Sequence, residues 1–194
     1  SIEFATDASA SSQAVKLEAL GLAGNVTITS TLTAKSLNVS ARSGIYIEAD
    51  IDSTAGSISL DADFDDTSEG KTVIATGVTV AAVGGDLLLH KHLSGHLDVT
   101  TPAVLQATGG VYLHAGMYVW GTGVLSLKAD TDEDRSGDFI CYSRGNITGN
   151  VDVAEIVISA TDVMIESGCT VTASSSIVQI EPSLTSGFTV IALA

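Results

Sequence analysis

Aromatic residues make up only 5% of this 194-residue chain, although hydrophobic residues of all kinds make up 45%. A core of large rings is thereby excluded, and the interior must be built from Val, Ile, Leu and Ala. Basic residues are equally scarce: 8 Lys and Arg stand against 23 Asp and Glu, a formal net charge of −15. So acidic a surface repels nucleic acid and anionic lipid, and leaves cations, carbohydrates and basic proteins as partners. Proline occurs twice, which argues against rigid linkers between separate units. No apolar run approaches the roughly 18 residues of a membrane helix, so helical membrane insertion is not expected. Asn-Gly and Asp-Gly, the strongest seeds of tight antiparallel hairpins, are both missing. One segment, Ala14–Leu22, has any helical character, and it runs into Gly and Ala.

What the chain does have is internal repetition. SISLDADFDDTSEGKTVIATGVTV begins at Ser57 and VLSLKADTDEDRSGDFICYSRGNIT at Val124, with weaker echoes from Ser1 and Ile177. Each unit joins an alternating strand, an acidic loop closed by Gly and a second apolar strand. Short alternating segments recur between them: 37–41, 45–49, 87–90, 104–107, 111–115, 156–160 and 163–166. Alternation with period two places one face inward and one outward. Repetition of strand units that cannot bury their apolar faces alone predicts a solenoid. The expected fold is all-β, a right-handed parallel β-helix. Unit starts near 1, 57, 124 and 177, each divided into turns of roughly 20 residues, predict about nine coils. At about 4.8 Å per coil the rod would be about 40–45 Å long. An antiparallel sandwich is the alternative architecture. Gly187–Ala192 (GFTVIA) matches Gly70–Ala75 (GKTVIA), so the chain is expected to be one solenoid segment, 1–194, of a longer repetitive protein.

The run GSISLDADFDDTSEGKTVIATGVTVAAVGGDLLL resembles the repeat regions of very large secreted β-helical proteins. These are the filamentous-haemagglutinin type adhesins and similar giant surface proteins of algae and other microbes. The resemblance implies an extracellular or cell-surface location, a fibrous or adhesive role, and no catalytic residues. Its implied partners are further copies or flanking repeats of the same protein.

Several side-chain groupings are candidates for chemistry. Asp61, Asp63, Asp65, Asp66 and Glu69 crowd one loop; Asp130, Asp132, Glu133, Asp134 and Asp138 crowd the other. Clustered carboxylate oxygens on a Gly-bounded loop suit calcium, most of all if the two loops stack, though neither has EF-hand spacing. A solvated acidic loop is the competing reading. His90 and His92, two apart, with His96 beyond, offer a weaker zinc or copper grouping. Asn25, Asn38 and Asn146 each begin an Asn-x-Ser/Thr glycosylation acceptor. Cys141 and Cys169 are either buried free thiols or a disulfide between adjacent coils. Tyr46, Tyr112, Tyr118 and Trp120 could line a sugar-stacking strip.

Enzymatic function is not expected. Gly-x-Ser-x-Gly, phosphate-loop and Cys-x-x-Cys motifs are missing, and Asp65-Asp66 is the one adjacent Asp pair. The function predicted is therefore a structural or adhesive rod. A calcium- or carbohydrate-binding adhesion module is the first alternative, and a polysaccharide-cleaving β-helix enzyme the second.

Overall fold

The computed structural model describes residues 1–4, 8–65, 70–89, 95–153, 155–174, 177–183 and 191–193. The chain winds through eight successive coils. The first holds β1 (Ile2–Phe4) and β2 (Ala8–Ala19), the second β3 (Asn25–Ile28) and β4 (Leu32–Ala41). The third holds β5 (Gly44–Ile47), β6 (Ile51–Ser53) and β7 (Ile58–Asp61); the fourth β8 (Lys71–Ile74), β9 (Thr79–Ala82) and β10 (Leu87–Leu89). The fifth holds β11 (His96–Thr100), β12 (Ala103–Ala107) and β13 (Val111–Leu113). The sixth holds β14 (Gly116–Trp120), β15 (Val124–Lys128) and β16 (Asp138–Cys141). The seventh holds β17 (Asn146–Gly149), β18 (Glu155–Ala160) and β19 (Asp162–Ile165). The last holds β20 (Thr170–Ala173), β21 (Ile177–Pro182) and β22 (Ile191–Leu193).

Corresponding strands of successive coils pair in parallel, and they form three faces. The first is the ladder β1-β3-β5-β8-β11-β14-β17-β20. The second runs β6-β9-β12-β15-β18-β21 and the third β7-β10-β13-β16-β19-β22, both starting from the long strand β4, which β2 pairs in turn. All pairings among the described residues are parallel, so the sandwich alternative is excluded. The fold is a parallel β-solenoid.

Stacking follows from the side chains. On the second face Leu32, Ile51, Val80, Leu105, Leu127 and Ile158 form one inward column, each in register with the next. All six are 0–1% exposed. Beside it runs a column of small residues, Ala34, Ser53, Ala82 and Ala107. On the third face Leu37, Ile58, Leu87, Val111, Phe139 and Val163 stack likewise, and Phe139 is the largest fully buried side chain. Branched aliphatics at the ~4.8 Å ladder spacing interdigitate without large rings, which is why so little aromatic residue is needed inside.

The coil count differs from expectation. Eight strands in the first ladder mean about seven full turns, not nine coils. From Ile2 to Val171 the seven steps average about 24 residues, ranging from 19 (Asn25 to Gly44) to 30 (Met117 to Ile147). The two acidic loops lengthen their own coils, and the ladder is about 34 Å long at ~4.8 Å per step. The repeat phase differs too: the four echoes fall at β1, β7, β15 and β21, on the first, third, second and second faces. Every strand–corner–strand unit shares the same alternation, so local likeness does not reveal the face. Ala14–Leu22 lies mostly within β2, a strand. Among the described residues no helix is long and apolar enough to cross a membrane.

Candidate functional site

The acidic loops do not stack. One turns the corner from β7 to β8, between the third and first faces; the other joins β15 to β16, between the second and third. Of the first loop's candidate ligands, Asp61 and Asp63 are buried, 7% and 0% exposed. Asp65 is ion-paired with the Arg42 guanidinium at 2.5 Å. Asp66 and Glu69 lie outside the described residues. The described part of this loop is thus folded back against the coil beneath it.

In the second loop Asp130, Asp132 and Asp134 converge, each offering a carboxylate oxygen within 4.8 Å of the others. Asp130 is the buried anchor, 1% exposed, while the other two face solvent. Its Oδ2 accepts hydrogen bonds from Thr161 Oγ1 and Ser183 Oγ, both at 2.6 Å, and its Oδ1 accepts from the Arg135 N–H at 3.2 Å. Burial works to raise the Asp130 pKa. The hydroxyls of Ser183 and Thr161 and the backbone N–H groups of Arg135 and Asp134 outweigh it, holding the carboxyl below the ordinary Asp value.

The loop's backbone is shaped for this arrangement: Asp130, Glu133 and Arg135 all have positive φ, between 58° and 76°. Gly137 packs so closely that a Cβ there would stand 2.1 Å from the Asp130 backbone nitrogen, so no other residue fits. A Ca²⁺ ion takes oxygens at about 2.3–2.6 Å, so three oxygens within this spread can reach one ion, with water completing the shell. The next strand begins with Asp138, in register with Asp162. Burial first, then the charges of Asp162 and Asp130, push the Asp138 pKa up.

Cys141 and Cys169 form a disulfide, with Cα atoms 6.1 Å apart. It ties β16 to the turn that leads into β20, joining successive coils across the corner between the third and first faces. Of the glycosylation acceptors, Asn38 and Asn146 are exposed and Asn25 is half-buried. Asn146 Oδ1 accepts from both the backbone N–H and the hydroxyl of Thr170 at 3.1 Å, whereas Asn25 Oδ1 is buried without a hydrogen-bond partner.

The histidines separate. His90 and His92 lie outside the described residues. His96 sits on the first face and meets the Tyr118 ring edge-on at 5.6 Å. His114, on the third side, stacks on Tyr142 at 4.1 Å. Glu48, His114 and Glu166, equivalent by local alignment, also divide: Glu48 follows β5 on the first ladder, the other two follow β13 and β19 on the third. The aromatic strip divides too, with Tyr46, Tyr118 and Trp120 on the first face and Tyr112 on the third.

No protein-family model, curated protein or solved structure matches the chain. Its class rests on the geometry above: a three-faced parallel β-solenoid, a repeat module.

Proposed function

We propose that this chain is a structural segment of a large extracellular repetitive protein, serving as a rod in a surface-displayed or fibrous assembly. The observation that carries the reading is the unbroken inward aliphatic column from Leu32 to Ile158, which packs the second through seventh coils against one another. A fold stabilised between neighbours suits extension by further repeats, of the same protein or of further copies. The Cys141–Cys169 disulfide is at home in an oxidising compartment. Asn38 and Asn146 stand where glycans could be attached, and the acidic exterior suits a solvated, non-aggregating surface. In this reading the chain performs no catalysis. Antibody raised against the segment should label intact, unpermeabilised cells of the source organism or the matrix around them. Labelling that appears only after permeabilisation would refute the extracellular role.

A calcium-dependent adhesion module is the second reading, favoured by the convergence of Asp130, Asp132 and Asp134. Calcium titration followed by thermal melting separates the two. A rise of several degrees that disappears in Asp132→Asn/Asp134→Asn supports the module; an unchanged melting temperature leaves the rod.

A further inference from the structure

Among the described residues, the outer surface of the first ladder carries the two exposed aromatic rings. The chain has a single Trp and four Tyr, and this face carries Trp120, Tyr118 and Tyr46 pointing outward. Tyr118 and Trp120 are 45% and 46% exposed. They stand two residues apart on β14, on one side of the pleat and so about 6.6 Å apart along the strand. Tyr118 is in register with Asp98, Asp98 with Val73, and Val73 with Tyr46. Large rings left in water on a rigid sheet form a stacking platform.

Polar groups share that platform. Asp98 Oδ2 lies 3.2 Å from Lys71 Nζ and 3.7 Å from His96 Nε2, while Trp120 Nε1–H donates to Asp98 Oδ1 at 3.5 Å. The position of Trp120 is set from beneath. Its backbone carbonyl accepts from both the N–H and the hydroxyl of buried Thr101, at 2.7 and 2.9 Å, and the Gly123 N–H in turn donates to that hydroxyl. Gly121, at φ +95°, turns the chain away immediately after the indole. The rings are therefore held ready rather than ordered on binding, which lowers the entropic cost of association.

The ligand these groups suit has an apolar C–H face for the rings and hydroxyls for the acid, amine and imidazole. Charge narrows the class. At −15, the chain repels acidic polymers and disfavours a second copy laid side by side on this face, whereas the platform's own charges are largely paired off. A purely apolar segment would strip water from Lys71, His96 and Asp98 without replacing its hydrogen bonds. We propose that the outer face of the first ladder binds a neutral polysaccharide, with pyranose rings stacked on Tyr118 and Trp120 and hydroxyls hydrogen-bonded to Asp98, Lys71 and His96. This goes beyond a passive rod: it makes the segment a rod that holds a glycan along one side.

Because Trp120 is the chain's single Trp, its intrinsic fluorescence reads the site directly. Titration with cellohexaose, mannohexaose and chitohexaose should give a saturable spectral shift with at least one of them, and a smaller or no response to polygalacturonate. Calorimetry should then show affinity weakened at least tenfold in Tyr118→Ala and Trp120→Ala, with Tyr112→Ala on the third face unchanged. Circular dichroism melts of both variants should match the parent, since both side chains are exposed. No saturable response to any of the three hexasaccharides, equal affinity in both variants, or tighter binding of polygalacturonate would overturn the proposal.

Discussion

Ser183 Oγ lies 2.6 Å from Asp130 Oδ2, although 53 residues separate them. With Thr161 bonded to the same oxygen, the acidic corner is tied to the two coils that follow it. Hydrogen bonds to a buried charged group contribute about 1.5–3 kcal/mol each. Asp130→Asn should therefore lower stability by about 2–3 kcal/mol at neutral pH. The folded pKa is depressed, so the contribution is present above the unfolded carboxyl pKa and disappears as pH falls through the folded one. Urea melts of both proteins from pH 7 to pH 2 should converge at the acidic end; a constant gap would contradict this assignment.

Asp138 has the opposite sign. Its pKa is raised by burial and by Asp162 and Asp130. It contributes stability that is fully present below the unfolded pKa and is lost as pH rises through the folded pKa. Asp138→Asn should accordingly be more stable than the parent at pH 7, with the advantage shrinking on acidification. A variant less stable than the parent at pH 7 would show that the carboxylate is favourably held.

The Cys141–Cys169 bridge closes a 28-residue separation. Chain-entropy reasoning assigns such a loop about 3.5 kcal/mol. Urea unfolding of a Cys141→Ser/Cys169→Ser variant should show a loss of that order, and reductant should reproduce it in the parent. Identical midpoints with and without reductant would mean that the cross-link restrains little in the unfolded chain.

Neighbouring positions on the third face should respond very differently. Phe139 is 1% exposed and stacked between Val111 and Val163, so Phe139→Ala should cost about 3–5 kcal/mol. Met164, one coil on and on the opposite side of the pleat, is 51% exposed; Met164→Ser should stay within about 0.5 kcal/mol. Equal effects in chemical denaturation would mean that the inside–outside assignment of this face is wrong.

The alternation that defines the fold is plain in the residues. Along Glu155–Ala160 burial alternates strictly: Ile156, Ile158 and Ala160 are buried, while Glu155, Val157 and Ser159 face outward. The Cys141–Cys169 pairing was likewise within reach, as one of two readings of two cysteines. Coil length was not, because strands fix what faces inward while corners fix how far the chain travels before it stacks. Corner loops here vary from the single residue Thr161 between β18 and β19 to the nine residues of 129–137. That variation sent the two acidic loops to different corners, and split Tyr112 from Tyr118 and Trp120. The convergence of Asp130 with Asp132 and Asp134 depends on left-handed backbone at Asp130 and Glu133, which spacing alone does not reveal. The Thr161 and Ser183 partners of Asp130 had no local signal, since they arrive from later coils.

A spin-label ruler along the first face tests coil-on-coil stacking most directly. Glu3, Thr27, Thr148 and Thr172 occupy one outward column. Dipolar spectroscopy on cysteine-labelled pairs Thr27/Thr148, Thr27/Thr172 and Glu3/Thr172, five, six and seven steps apart, should give distances centred near 24, 29 and 34 Å, rising by about 4.8 Å per step. Distances that fail to rise from pair to pair, or that cluster below about 20 Å as in a folded-over sheet, would contradict the solenoid and the rod built on it.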